Sequence, residues 1–288
     1  MKPAPFELHE PDSVDAAVSL LAEHGDDAKV LAGGQSLTPM LSLRLTRFDH
    51  LVDLGRIEAL RGITLDADVA RIGAMTPQAV VERDPRLSTA VPLLARAVPR
   101  IGHRAVRNRG TIGGSLAHAD PASELPAVAL ALDAKFTCIG PKGARIVGAR
   151  DFFLGTWTTA LDDDEVLTEI VFPIARPGQG FAIEEVARRH GDFALAGATC
   201  ALTAHDGLLV HAAIALFGMA PSAVRANAAE ALLVGASVDA LEVDAIGRAA
   251  VIDTSPTDDI HATAEYRRAV GAYLVGRAIA AAVEEARA

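Results

Sequence analysis

The stretch VLAGGQSLTPML, residues 30–41, places two glycines, an amide and a hydroxyl between an apolar run and a Thr-Pro pair. A second stretch, NRGTIGGSLAHADPASELPA at residues 108–127, repeats the Gly-Gly pair followed by a polar side chain. Glycine permits positive φ angles and close backbone approach, so successive N–H groups can converge on a phosphate. One such pair alone is more typical of a tight turn. Two matched pairs favour a ligand with two phosphates.

The two loops do not match the standard nucleotide-binding or nucleophile patterns. There is no GxGxxG after a strand and no GxxxxGK[ST], which disfavours a Rossmann fold and a P-loop. GGQSLT and GGSLAH also fail the GxSxG pattern of a nucleophilic serine, so we expect no catalytic triad. The predicted anion-binding groups are the backbone of Gly33 to Ser36, the backbone of Gly113 to Ser115, and the hydroxyls of Thr111 and Ser115.

Composition limits the class of protein further. The chain has 288 residues, half of them apolar, and a formal net charge of −10. This length predicts two or three compact units. The negative charge argues against nucleic acid or an anionic membrane as the partner. The first residues lack the apolar core of a signal peptide, and no apolar run reaches the ~18 residues of a membrane span, so we expect a cytoplasmic protein.

The only cysteines, Cys138 and Cys200, lie far apart in strand-like apolar runs. This placement predicts two buried thiols and provides neither a disulfide framework nor a CxxC metal site. His118 and His190 have no Cys, His or Asp neighbours at metal-ligand spacing. We therefore expect them to be surface or hydrogen-bonded histidines, and we expect no metal site in the chain.

Hydrophobic periodicity predicts an alternation of helices and strands. A helix follows Ser13 and ends at Gly25, a short strand precedes the first glycine loop, and β structure dominates residues 134–172. A boundary is expected near Pro177, followed by a hairpin around Asp206-Gly207. Three helical segments are predicted at residues 222–234, 239–251 and 263–287, the last of them an exposed closing helix.

Two charged features remain open to two interpretations each. Glu124 opens a predicted helix, where a carboxylate is favoured by the helix dipole. The same carboxylate can instead accept hydrogen bonds from ribose or ribityl hydroxyls. Before it, a run of arginines either steers an anion towards the second loop or pairs with the many carboxylates. The run contains Arg100, Arg104, Arg107 and Arg109.

Taken together, four segments resemble one known family. AGGQS, TIGGS, ADPASELPA and ARRHGDFALAG occur in the order and spacing of the FAD-binding medium subunits of molybdenum hydroxylases, and the resemblance covers nearly the whole chain. It implies an α+β fold. A vanillyl-alcohol-oxidase-type (PCMH) FAD-binding domain of two α/β subdomains would span residues 1–176. A C-terminal domain of antiparallel sheet with helices, as in carbon monoxide dehydrogenase flavoproteins, would span residues 177–288.

The resemblance also implies a set of FAD-binding residues and no catalytic ones. Glu124 stands where relatives often carry an aspartate that binds a cofactor hydroxyl, and Leu167 matches an apolar position that packs on the cofactor. Phe193 would cover one face of the isoalloxazine ring, although without the resemblance it would be taken for a core residue. Gln35 replaces a histidine found in carbon monoxide dehydrogenases, which argues against carbon monoxide as the substrate. The implied set is Ala32, Gly33, Gly34, Gln35, Ser36, Thr111, Ile112, Gly113, Gly114, Ser115, Glu124, Leu167, Asp192 and Phe193.

The function implied is electron transfer within a larger enzyme. In such complexes a molybdopterin large subunit oxidises the substrate, an iron–sulfur small subunit carries the electrons, and FAD passes them to an external acceptor. A dimer of heterotrimers is the expected assembly. The alternative is a stand-alone FAD-dependent oxidase or reductase with its own organic substrate. A third hypothesis, a non-catalytic nucleotide-binding module, would give Phe193 no ligand to cover.

Overall fold

The computed structural model, which describes residues 2–287, begins with a small parallel sheet. The predicted first helix is confirmed: the Ser13 hydroxyl accepts a hydrogen bond from the Ala16 N–H, and Gly25 ends the helix with a φ of 52°. The elements of this first unit are β1 (Glu7–His9), α1 (Val14–His24), β2 (Ala28–Leu31), α2 (Leu37–Ser42) and β3 (His50–Asp53). The strand order is β1-β3-β2, with both pairs parallel.

The second unit is built on a five-stranded antiparallel sheet with a layer of short helices. Its strands are β4 (Ile63–Leu65), β5 (Val69–Gly73), β6 (Lys135–Gly140), β7 (Gly143–Gly148), β8 (Phe153–Gly155), β9 (Thr158–Thr159) and β10 (Val166–Pro173). Its helices are α3 (Gln78–Arg83), α4 (Leu87–Ala90), α5 (Pro92–Ala97), α6 (Arg104–Arg107), α7 (Ile112–His118), α8 (Glu124–Ala131) and α9 (Ala149–Phe152). The main sheet has the order β4-β5-β10-β6-β7, and β8 pairs with β9 separately.

The third unit is an antiparallel sheet followed by helices. The predicted hairpin is confirmed, and its turn residues Asp206 and Gly207 have φ angles of 50° and 76°. Its elements are β11 (Gln179–Ala187), β12 (Ala194–His205), β13 (Leu208–Phe217), β14 (Val224–Arg225), α10 (Asn227–Leu233), α11 (Val243–Ala250) and α12 (Ala264–Arg287). The strand order is β11-β12-β13-β14.

One hydrophobic core runs through the second and third units. Phe136 and Leu125 of the second unit belong to the same buried cluster as Phe181 and Phe217 of the third. Helix α8, between the units, is buried at every one of its eight positions. The Thr199 hydroxyl of β12 donates to the Ala127 carbonyl of α8 at 3.1 Å, which joins the two units by a hydrogen bond as well.

The prediction of an exposed closing helix was wrong. Helix α12 lies on β11 and β12 and supplies the centre of a second core, burying ten of its residues. Small side chains allow this close contact: a Cβ added at Gly180 would lie 1.8 Å from the Ala282 carbonyl oxygen. An Ala-rich helix therefore packs tightly here, where the sequence suggested solvent exposure.

Two smaller expectations also require correction. The helix predicted from residue 222 begins only at Asn227, because Val224 and Arg225 pair with β13 as a strand. Strand β11 was not predicted, although it is nine residues long.

Both cysteines are free and buried, as predicted. Within residues 2–287, no helix is long and apolar enough to cross a membrane.

Candidate functional site

A cavity of about 720 Å³ opens where the three units meet. Cavities of this size hold ligands of drug or cofactor dimensions. The first unit contributes the loop after β2, the second contributes α7, the start of α8 and the β9 region, and the third contributes the loop before β12. The walls therefore come from three distant parts of the sequence.

The structure brings most of the predicted FAD-binding residues to this one cavity. Three of them do not line it: Ile112 and Gly113 lie behind the cavity wall, and Leu167 is buried in β10 opposite Cys138. Leu161 lines the cavity on the approach to β10. The predicted residues that line the cavity are Ala32, Gly33, Gly34, Gln35, Ser36, Thr111, Gly114, Ser115, Glu124, Asp192 and Phe193.

The first glycine loop presents free backbone donors. Within residues 2–287, the N–H groups of Gly33, Gly34, Gln35 and Ser36 have no hydrogen-bond acceptor. Gly34 has a φ of 68°, which turns the chain between β2 and α2. The Gln35 side chain folds back, and its Nε2 donates to the Gly33 carbonyl at 3.0 Å. These residues are half-buried and line the cavity, so their unbonded N–H groups are available to a ligand with oxygen acceptors.

The second glycine loop has already used most of its backbone donors. The Gly113 N–H donates to the Ala74 carbonyl at 2.8 Å, and the Gly114 N–H donates to the Thr111 hydroxyl at 3.0 Å. A Cβ added at Gly113 would lie 2.4 Å from the Ala74 Cβ. Gly113 is thus required for packing against Ala74, the residue that follows β5. What this loop offers the cavity is chiefly its side chains, including the Ser115 hydroxyl.

The two loops are in direct contact with each other. A Cβ added at Gly33 would lie 2.2 Å from the Arg109 carbonyl oxygen and 2.8 Å from the Gly110 Cα. A Cβ added at Gly114 would lie 3.1 Å from the Ala32 Cβ. Backbone meets backbone at this junction, which only glycine allows. The two Gly-Gly segments therefore form one continuous wall.

Glu124 places a carboxyl group in the cavity at the start of α8. The residue is only 7% exposed. Burial raises the pKa of its carboxyl group to about 8, because desolvation disfavours the charged form. The neighbouring Ser123 hydroxyl lies 3.2 Å from the Ser115 hydroxyl. A carboxyl group and two hydroxyls thus face the cavity close to the second glycine loop.

Among the cavity-wall residues that the sequence did not predict, Gln78 and Trp157 stand out by their polar groups. Gln78 is 3% exposed, and its Oε1 has no hydrogen-bond donor within residues 2–287. A buried amide oxygen without a donor fits a ligand that carries an N–H or O–H group. Trp157, the single tryptophan, lies at the cavity with its Nε1 3.3 Å from the Asp120 Oδ2 and its ring stacked on His118. The signal for Trp157 was its place in the polar segment GTWTT.

Phe193 and Asp192 reach the cavity from the loop between β11 and β12. Phe193 is 68% exposed, so it is not a core residue. The loop is anchored at Gly191, where an added Cβ would lie 2.7 Å from the His103 ring. An exposed phenylalanine at the edge of a cavity has one face available for a ligand or a partner.

The arginine run divides into structural and exposed members. Arg107 is buried and forms a two-point ion pair with Glu82, at 2.8 and 2.9 Å. Arg100 donates to the Ile183 carbonyl at 3.0 Å and so links the second and third units. Arg104 and Arg109 are exposed. Pairing with carboxylates and carbonyls therefore explains two of the four.

The predicted histidines lie apart from each other. His118 is half-buried at the cavity, and burial lowers the pKa of its imidazole. His190 is exposed. Neither belongs to a group of metal-ligating side chains among the described residues.

Comparison with known proteins identifies the family. Residues 4–175 match the family model described as the FAD binding domain in molybdopterin dehydrogenase. The chain belongs to this family. Residues 181–282 match the CO dehydrogenase flavoprotein C-terminal domain, so both parts of the molecule are those of a molybdopterin dehydrogenase flavoprotein.

Several relatives in the family align along their whole length. The carbon monoxide dehydrogenase medium chain of Hydrogenophaga pseudoflava is 41% identical over 98% of both chains. The 6-hydroxypseudooxynicotine dehydrogenase complex subunit alpha of Paenarthrobacter nicotinovorans is 38% identical over 100% of this chain and 97% of the relative. A solved structure of the Hydrogenophaga pseudoflava carbon monoxide dehydrogenase gives a TM-score of 0.96 at 43% identity, covering 99% of both chains.

These findings confirm the predicted family, the α+β fold of an FAD-binding domain followed by an antiparallel sheet with helices, and FAD as the cofactor. They also confirm that this flavoprotein is an oxidoreductase subunit. The relatives are named for different substrates, carbon monoxide in one and 6-hydroxypseudooxynicotine in the other. Substrate identity is therefore not a property of the flavoprotein fold.

Proposed function

We propose that this chain binds FAD in the cavity between its three units and relays electrons from an iron–sulfur subunit to an external acceptor. The observation that carries the proposal is the convergence on one cavity of residues that the sequence places in three separate motifs. FAD supplies the redox chemistry when it is bound, and the protein supplies binding, orientation and electrostatics.

The proposed diphosphate site is the wall formed by the two glycine loops. Gly33 to Ser36 would donate backbone N–H groups, which are free in the structure. Thr111, Gly114 and Ser115 would complete the wall from the second loop, with Ala32 between the two. Three further residues would support the site without lining the cavity, by fixing the position of the residues that do. They are Ile112, Gly113 and Leu167.

The proposed contacts to the rest of the cofactor come from Glu124, Gln78 and Phe193. The Glu124 carboxyl would hydrogen-bond a cofactor hydroxyl, and its raised pKa allows it to donate as well as accept near neutral pH. The Gln78 Oε1 is fully buried within the wall, so it would accept from a ligand N–H or O–H only after its side chain turns towards the cavity. Phe193, with Asp192 before it, would cover the ring system from the third unit. Covering excludes water and controls access of the acceptor.

Two partner subunits are part of the proposal. Iron–sulfur clusters are held by sets of cysteine thiolates. This chain has only Cys138 and Cys200, both buried, and burial raises the pKa of the Cys138 thiol to about 11. An iron–sulfur small subunit would therefore deliver the electrons, and a molybdopterin large subunit would oxidise the substrate. We propose a dimer of heterotrimers.

We also propose that the chain divides into a domain of residues 1–176 and a domain of residues 177–288, and that the protein is located in the cytoplasm.

The experiment is to express the chain alone, load it with FAD, and compare it with the chain mixed with both partners from the same host. Artificial reductants should reduce the flavin in both samples. N-heterocycles, aldehydes and carbon monoxide should reduce it only in the mixture, and native mass spectrometry should give two copies of each subunit. Substrate turnover by the lone chain at the rate of the mixture would favour the stand-alone oxidase instead.

A further inference from the structure

Three histidines from separate elements of the first unit meet on one face of its sheet. His9 ends β1, His24 ends α1 and His50 begins β3. One ring nitrogen from each lies within 4.8 Å of the others. The prediction that the chain holds no metal rested on spacing along the sequence, which gives no signal here because the three lie far apart in it.

The fold explains why they meet. Side chains alternate along a strand, so His50 and Val52 point to the same face of the sheet. Val52 is fully buried in a cluster that includes Ala17 and Leu21 of α1, which places that face under the helix. His24 lies in the last turn of α1 and stacks on His50, with 3.8 Å between the ring centroids.

The distances are close to those of a metal site. The His9 Nε2 lies 3.1 Å from the His50 Nδ1. Zinc binds histidine nitrogen at about 2.0–2.1 Å, so two nitrogens on one ion are at most about 4.2 Å apart. His9 and His50 satisfy this limit through a hydrogen bond between their rings, which a bound ion would replace. His24 stacks on His50, so its ring would have to turn for its nitrogen to reach the same ion.

The surroundings favour a cation. The Glu7 Oε2 lies 3.8 Å from the His50 Nδ1, within reach of a fourth ligand position. Carboxylates also flank the three histidines in the sequence, although Asp49 and Glu10 are paired with Arg47 and Arg56. The flanking carboxylates are Glu10, Glu23, Asp26, Asp27 and Asp49.

We propose that His9, His24 and His50 bind a divalent transition-metal ion of the zinc class. Imidazole nitrogen is a preferred ligand of zinc, copper and nickel, and three such ligands leave one position for water or Glu7. The ion would join β1, α1 and β3. Leu21 and Ala28 of the same unit line the cofactor cavity. A metal here would therefore rigidify the support of the first glycine loop without taking part in electron transfer.

The test uses the full chain loaded with FAD and purified without a histidine tag, since a tag would bind the same metals. After treatment with a chelator, Zn²⁺ binding is measured by titration calorimetry, and melting temperature is measured with and without Zn²⁺. Co²⁺ serves as a second probe because its visible spectrum reports tetrahedral coordination. The variants are His24→Leu and His50→Gln. His205→Gln is the matched control, because His205 is an exposed histidine of the third unit.

The parent and His205→Gln should bind one Zn²⁺ per chain, melt at a higher temperature with Zn²⁺, and give a tetrahedral Co²⁺ spectrum. His24→Leu and His50→Gln should lose at least about tenfold in Zn²⁺ affinity, together with the melting shift. FAD content identifies any variant that fails to fold, and His24→Leu, at a half-buried helix end, is the milder of the two. Equal Zn²⁺ binding by His24→Leu and the parent, or no stoichiometric binding by the parent, would overturn the proposal.

Discussion

The two glycine loops share a sequence pattern but differ in what they offer a ligand. Around Gly33 and Gly34, the backbone N–H groups have no acceptor among residues 2–287, and both glycines line the cavity. Around Gly113 and Gly114, the N–H groups are already bonded to Ala74 and Thr111. Neighbouring elements account for the difference, because the second loop lies directly on β5. A Gly-Gly pair therefore indicates close backbone approach, and only the fold shows whether a ligand or another strand makes that approach.

The largest effect is expected from Gly33→Ala. The added Cβ would lie 2.2 Å from the Arg109 carbonyl oxygen, so the two loops must separate. Overpacking of this kind costs about 1–3 kcal/mol or more, and separation also disrupts the free N–H groups. FAD per chain and melting temperature should both fall. Gly155→Ala is the control, since nothing lies within 4 Å of its added Cβ. A variant with full FAD content and parental stability would show that the loops are not one wall.

Gly113→Ala tests the second glycine loop, whose backbone N–H groups are already bonded within the protein. Its Cβ would lie 2.4 Å from the Ala74 Cβ, while Gly113 itself does not line the cavity. We expect a loss of about 1–3 kcal/mol in the free energy of unfolding, and a smaller loss of FAD affinity than in Gly33→Ala because Gly113 acts only through the residues that line the cavity. Denaturant unfolding and fluorescence titration measure the two quantities. A loss of FAD affinity without a loss of stability would mean that the second loop contacts the cofactor through its backbone.

Glu124→Gln tests whether the carboxyl group near the second glycine loop is buried and protonated in the folded protein. A carboxyl group whose pKa is about 8 when folded and 4.5 when exposed binds its proton more tightly in the folded state. Parental stability should therefore fall as pH rises between these values, and level off above pH 8. When both proteins are compared without FAD, the Gln variant should lack this dependence of stability on pH. Its amide resembles the protonated carboxyl group in shape and stays neutral at every pH. Unfolding curves from pH 5 to pH 9 provide the measurement, and parallel curves for both proteins would exclude a buried, titrating Glu124.

The smallest effect on stability is expected from Phe193→Ala. Its side chain is mostly exposed, so the free energy of unfolding should change by no more than about 0.5 kcal/mol. The flavin potential and the rate with small acceptors should change instead, because the variant uncovers the site without altering either loop. Leu208→Ala, another exposed apolar residue of the third unit, is the control. Identical flavin spectra, potentials and acceptor rates in all three proteins would remove Phe193 from the cofactor site.

Local patterns predicted those features that local chemistry determines. Ser13 and Gly25 bound α1 as expected, and Asp206-Gly207 makes the hairpin turn because both residues adopt positive φ angles. The motifs that form the cavity were also found in the sequence. Their convergence was implied only by the resemblance to a family, since no periodicity reports which loops of distant units meet.

The failures share a different cause, which is contact between elements distant in sequence. The burial of α12 depends on Gly180 in β11, and the orphan oxygen of Gln78 depends on where the cavity lies. The burial of a helix and the hydrogen bonding of a side chain depend on tertiary contacts, which a short segment of sequence does not reveal.

Helix α8 has a consequence for how a cofactor enters and leaves. It is buried on all sides between the second and third units and carries Glu124 at its first position. Hinge motions between domains use thin, exposed connections. A fully buried helix shared by two units leaves no such hinge between them, so we expect no hinge motion of the second unit against the third. Entry and exit of FAD would then need movement elsewhere in the cavity wall, and the exposed loop with Asp192 and Phe193 is a candidate.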